Sequence, residues 1–336
     1  ERLDLKSMIA KTADCLSRSV ENIAEAAFSY DGCYCAVDIL HKTENGYAIY
    51  EVKSSTDLSH LEVYTQDVAY QKYVLTNCGI NVTGTYLVNI NNEYVLNGEF
   101  DVKEFFNISD ISEAVADEYL KVPTRIAQAK QMLEGGEPER DFGEYCHKPY
   151  GCTFWEYCSR DIIPHPSVFD LYRMSFKKAL EHMNEGRLTL ENMREEKLTD
   201  TQQLQLECTL GDKTYINKDG IKEFLTQLSY PLYFLDFETE QTVIPKYQGT
   251  HPYQQVTFQY SLHYIEQEGG ELKHTEFLGD GVTDPRRALA EQLCHDIPMN
   301  VCTTAYNKAF ECTRLKELAE AYPDLAPHLI NIKEHI

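Results

Sequence analysis

The sequence predicts a mixed α/β protein: two α/β units joined by a helical stretch. Three observations carry this. Short β-branched and aromatic runs alternate with segments of helical period between residues 25 and 134, and again from residue 231 onward. A length of 336 residues suits two domains. Hydrophobic residues at 43% and charged residues at 25% are the proportions of packed domains, which argues against long disorder.

Residues 1–23 read as a helix, with Leu5, Met8, Ile9, Ala13 and Leu16 near the 3.6 period. Strands are expected at 27–30, 34–40 and 47–52, separated by Asp31-Gly32 and Glu44-Asn45-Gly46, which is hairpin turn chemistry. A helix over 58–77 follows, then a strand pair at 86–90 and 93–96 around Asn91-Asn92. Helical pattern covers about 110–134 with a break at Pro123, and Gly135-Gly136 ends it. A Cys-rich stretch at 141–160 leads to Pro164 and Pro166, which mark a boundary. The expected organisation is therefore a first domain at 1–163, a helical connector at 164–228 and a second α/β domain at 229–336. In the last, strands are expected near 232–237, 255–265, 272–278 and 300–305, and helices near 284–295 and 308–321.

Charge narrows the function classes. The chain has 31 basic and 54 acidic residues, net −23, with −13 in residues 1–163 and −10 in the remainder. Such a chain is repelled by phosphate backbones, so binding of nucleic acid through a broad basic surface is excluded, and any contact must be local and assisted by metal ions. No run of 18 apolar residues exists, so no membrane-spanning helix is expected. The opening Glu1-Arg2-Leu3-Asp4 lacks the basic-then-apolar order of an export signal. With that, eleven cysteines point to metal binding in a reducing, cytoplasmic compartment rather than to a disulfide framework.

Three constellations carry chemistry. Asp38 lies late in one expected strand, and Glu51 and Lys53 lie at the end of the next. Residues two apart on a strand share a face, so Glu51 and Lys53 project together, and strand pairing would bring Asp38 to them. Two carboxylates suit Mg²⁺ or Mn²⁺, and the adjacent amine suits a water nucleophile or developing phosphate charge, the parts needed for phosphodiester hydrolysis. The following helix offers Gln66, Asp67, Tyr70 and Gln71. The bland alternative is a solvated strand edge and helix face. Second, Cys146, Cys152 and Cys158 form C-x5-C-x5-C. This suggests an iron–sulfur cluster or zinc, against three buried thiols in an aromatic core. A fourth ligand would come from Cys15, Cys33, Cys35, His147 or a cysteine preceding Glu1. Third, the apolar strand Leu232-Tyr233-Phe234-Leu235 ends in Asp236-Phe237-Glu238, and Glu311 begins a later helix, a set that suits a divalent metal pair.

The order strand-Asp38, hairpin, Glu51-Val52-Lys53, Gln/Tyr-bearing helix and cysteine triplet resembles the RecB-like PD-(D/E)XK nucleases of the iron–sulfur type, typified by the fourth CRISPR-associated protein and the AddB nuclease domain. The resemblance implies a restriction-endonuclease-like fold. It makes Asp38 and Glu51 metal ligands, Lys53 the catalytic lysine, and Gln66 with Tyr70 the helix motif, Gln71 being an alternative register. It also implies a [4Fe–4S] cluster on Cys146, Cys152 and Cys158 with an upstream cysteine such as Cys15. The triplet spacing here is x5/x5 where x2/x5 is commoner. Asp236, Glu238 and Glu311 resemble the first two motifs of DnaQ-like 3′–5′ exonucleases, with Glu311 where those have Asp; this implies a partial RNase H-like fold. After Glu311 the only Asp is Asp324, in a context unlike the third motif. Together with a start that is not Met, this leads to the expectation of a fragment. The fused order is similar to an uncharacterised bacterial family known only as a domain of unknown function.

The expected activity is that of a metal-dependent nuclease, with DNA favoured over RNA and exonucleolytic action at Asp38, Glu51 and Lys53. The alternatives are a nuclease-like scaffold that docks protein partners in a repair or defence assembly, and an exonuclease or RNase acting through the second domain.

Overall fold

In the computed structural model, which describes residues 4–336, the protein is mixed α/β, and both of its sheets combine parallel and antiparallel strands. The start of the first expected helix, residues 1–3, lies outside the described residues. Helix α1 (Leu5–Ser17) is capped by the Asp4 side chain on the Ser7 N–H. It ends before Ser19, which is left-handed at φ +56°, and so stops short of residue 23. Strands β1 (Asn22–Tyr30), β2 (Cys33–Thr43) and β3 (Gly46–Lys53) form consecutive hairpins. Asp31 and Gly32 both have positive φ, the two-residue turn whose twist matches the flanking strands. Gly46 has a different reason: a Cβ there would meet the Asn81 carbonyl oxygen at 2.1 Å, so only glycine lets the second hairpin tip seat against the chain entering β4.

Helix α2 (Leu61–Asn77) carries the chain from β3 to β4 (Val82–Ile90), which lies parallel to β3. Its buried face, Tyr64, Thr65, Val68, Ala69, Gln71, Val74 and Leu75, packs on the sheet. The expected strand at 93–96 does not form. Tyr94 and Leu96 are buried in an aromatic cluster with Ile90 and Phe105, and the Leu96 backbone pairs with Thr250 and Gly249. After a short helix α3 (Val102–Phe105), the partner of β4 is β5 (Phe106–Asp110), giving the order β1-β2-β3-β4-β5. Helix α4 (Ser112–Tyr119) follows; α5 (Val122–Glu134) then starts with Pro123 in its first turn, where no amide partner is lost.

Residues Pro123–Asp219 form their own compact unit. It contains most of α5, the cysteine stretch, α6 (Trp155–Ser159), α7 (Phe176–Asn184) and α8 (Asp200–Leu210). Trp155 is its aromatic hub, with ring centroids 5.2 Å from Phe142, 5.5 Å from Phe169 and 5.1 Å from Phe176, while His147 stacks on Phe176 at 4.2 Å. A second apolar cluster, Val168, Leu171, Leu190, Met193 and Leu206, holds the remainder.

Within α9 (Lys218–Gln227), at Gly220, the chain rejoins the first compact unit. Strands β6 (Leu232–Gln241), β7 (Gln255–Ile265) and β8 (Leu272–Leu278) form an antiparallel meander. Helix α10 (Arg286–Asp296) leads to β9 (Cys302–Thr304), which is parallel to β6 and completes the order β8-β7-β6-β9. Helices α11 (Lys308–Ala321) and α12 (Ala326–Glu334) cover one face, with Leu235, Tyr260, Leu262, Leu289, Leu315 and Leu329 in the core. Among the described residues no helix is long and apolar enough to cross a membrane.

Candidate active site

The β2–β3 hairpin brings the first constellation together. The β2–β3 ladder starts at Ile39↔Tyr50, and the β1–β2 ladder skips the rung of Glu25 and Asp38, with Glu25 at φ +51°. Asp38 therefore sits at a break in the ladder, and its carboxylate accepts the Val52 N–H at 2.7 Å. Glu51 is 6% exposed. Both of its oxygens are held, Oε1 by the Lys53 amine at 2.6 Å and Oε2 by the Gln71 amide at 2.7 Å. Lys53 also reaches the Asp67 carboxylate at 3.6 Å and lies 4.9 Å over the Tyr64 ring. Burial works against its charged form, yet the bond and charge of Glu51, with the charges of Asp67 and Asp38, hold its pKa above the ordinary lysine value.

The helix residues divide. Gln71, not Gln66, meets Glu51, and its own carbonyl oxygen is buried without a partner. Gln66 points its amide at Glu62, 3.5 Å away, on the helix surface. The Tyr70 hydroxyl bonds both the N–H and the carbonyl of Tyr34, at 3.1 and 3.0 Å, and so fastens α2 to β2. Tyr64, Asp67 and Gln71 are spaced three and four apart, one helix face, and that periodicity was the available signal for Tyr64, which the sequence reading did not include.

The second carboxylate set is sparser. Asp236 and Glu238 project from the exposed positions of β6, and a register shift follows Glu238. Glu311, in the first turn of α11, is 2% exposed. One of its oxygens has no hydrogen-bond partner. Burial, with a smaller contribution from the Asp236 charge, pushes its pKa up. The Asp236 charge is thus felt at Glu311. Asp324 is committed elsewhere, to a two-pronged bond with Arg287 at 2.8 Å on each arm.

The cysteines do not gather. Cys146 is buried while Cys152 and Cys158 are exposed, and the Cys15 thiol accepts from Arg18 at 3.7 Å at the C-terminal end of α1. Among the described residues no three His, Cys, Asp or Glu side chains are close enough to share an ion. As placed, the triplet does not fit a cluster or a zinc ion. Asp38 and Glu51 differ in kind, because a pair of hard carboxylates fits Mg²⁺ or Mn²⁺, which keep several waters and take further oxygens from phosphate. Asp236 with the orphaned oxygen of Glu311 fits the same ions.

No curated protein matches the chain. A family model described as a domain of unknown function, DUF2779, matches residues 233–336, so the part of the chain from β6 to the last described helix is similar to that family.

Proposed function

We propose that the protein is a metal-dependent nuclease that hydrolyses phosphodiester bonds, with DNA as substrate. The first α/β layer would be a PD-(D/E)XK-type domain and the β6–β9 layer an RNase H-like one. The observation that carries the reading is the convergence of Asp38, Glu51 and Lys53 at one strand end, with Glu51 buried and fixed at both oxygens. A buried carboxylate held this tightly is costly unless its position serves something.

Asp38 and Glu51 would hold the ion, which when bound supplies charge for the phosphate and lowers the pKa of a bound water. Gln71 fixes the rotamer of Glu51 from the helix side. Lys53, kept protonated by its carboxylate neighbours, places a positive charge where the attacked phosphate gains negative charge. The acidic chain then meets a polyanion only at this point, in keeping with its net charge of −23.

A second reading is favoured by Glu311: its unpartnered oxygen, which feels the Asp236 charge, supports a second divalent site and exonuclease or RNase action there. End-labelled single- and double-stranded DNA and RNA, incubated with Mn²⁺, Mg²⁺ or EDTA, decide between them. Cleavage lost in Lys53→Ala places the activity at the first site. Cleavage retained there and lost in Asp236→Asn places it at the second. No cleavage under any condition refutes both.

A further inference from the structure

The loop between β6 and β7 does more than connect them. Gly249 donates to Leu96 and Leu96 to Thr250, at 2.8 and 2.9 Å, while the Gln248 side chain bonds both the N–H and the carbonyl of Gly98, at 2.6 and 2.9 Å. Val243 and the Tyr253 ring pack against the cluster of Ile90, Tyr94, Leu96 and Phe105. At the end of this loop Tyr253 is left-handed, φ +58°, a costly conformation for a bulky residue that persists only where its surroundings impose it. They do so from both sides: the Gln241 amide at the end of β6 donates to the Tyr253 carbonyl at 2.6 Å, and the Tyr253 N–H donates to Thr242 at 2.9 Å. So held, the Tyr253 hydroxyl donates to the Ser54 carbonyl at 2.5 Å, one residue beyond Lys53.

A bonded path thus runs from the strand bearing Asp236 and Glu238, through Gln241 and Tyr253, to the strand end bearing Glu51 and Lys53. We propose that Tyr253 is a positioning residue for the first site, so that the second α/β layer is a working part of it. This rests on the nuclease reading for its catalytic consequence, but not for its geometry. The bond restrains the backbone directly after Lys53, where the amine must stay within 2.6 Å of Glu51. Without it, Lys53 swings between Glu51, Asp67 and solvent.

The test uses the full chain with Tyr253→Phe, which keeps the ring and removes only the donor. Three quantities are read: hydrogen exchange of the amides at 52–56, the order parameter of the Lys53 amine from nitrogen relaxation, and cleavage kinetics. Exchange is expected to quicken by about tenfold, the factor one hydrogen bond contributes. The Lys53 amine should gain motion as its carboxylate contacts loosen, and kcat should drop about tenfold with KM unchanged. Gln241→Ala should act in the same direction, and Ser54→Ala, which keeps the accepting carbonyl, should leave all three unchanged. An unaltered order parameter of the Lys53 amine in Tyr253→Phe overturns the proposal, even if exchange quickens. A wild-type protein without cleavage refutes the nuclease reading alone, because exchange and amine motion still decide the role of Tyr253.

Discussion

The bond between Lys53 and Glu51 sets a stability cost that can be worked out in advance. At 2.6 Å and an effective dielectric near 20, the direct attraction is about 6 kcal/mol, and desolvation of the two groups cancels more than half of it. About 2–3 kcal/mol remains, in the range of charge-assisted hydrogen bonds. Lys53→Met should therefore destabilise by about that amount, because it leaves the 6%-exposed Glu51 with Gln71 as its remaining side-chain partner. Adding Glu51→Gln should recover most of the loss, since the uncompensated charge is gone. For a unit of this size the single substitution corresponds to roughly 5–10 °C in melting temperature. Thermal unfolding must be followed by backbone circular dichroism, since the single tryptophan, Trp155, belongs to the Pro123–Asp219 unit and reports there. The Lys53 pKa is raised in the folded state. Its contribution is thus complete below the ordinary lysine value of about 10.4 and is lost as the pH rises through the folded value. A coupling energy under about 0.5 kcal/mol in the double-mutant cycle refutes the reasoning.

Glu311 has the opposite pH signature to a salt-bridged carboxylate. With its folded pKa raised, its contribution is most favourable below the ordinary glutamate value of about 4.3 and is lost as pH rises through the folded value. Glu311→Gln should therefore stabilise at pH 7 by about 1–2 kcal/mol, the gain disappearing in acid, as melting curves from pH 4 to 8 will show. In the cysteine-bearing unit, Phe176→Ala removes a ring stacked on His147 and packed on Trp155. It should cost about 2 kcal/mol and shift Trp155 emission to the red, read by fluorescence during urea unfolding.

What the sequence disclosed and what it concealed divide along local and non-local lines. The β2–β3 hairpin was legible because Gly46 and the apolar run Tyr47–Val52 fix its turn and alternation within a few residues. The strands at 255–265 and 272–278 and the helix at 308–321 were legible for the same reason. The choice between Gln66 and Gln71 was not, because both sit on one helix and only the packing of Val68, Ala69 and Leu75 shows which turn faces the sheet. Residues 93–96 have strand composition, but the Glu93 and Tyr94 N–H groups turn back to Asn91 and Leu96 pairs with a loop some 150 residues away, and the strand falls instead to 106–110. Nothing in the spacing of the cysteines foretold that Cys152 and Cys158 would face solvent while, of the aromatic residues between them, Trp155 alone makes the packing.

Manganese binding, followed by electron paramagnetic resonance on the full chain, tests the central claim most directly. The wild-type protein should bind Mn²⁺, and Asp38→Asn should lose one equivalent while Glu311→Gln retains it. Identical binding isotherms for wild type and Asp38→Asn would contradict the claim that the end of this hairpin is a metal site.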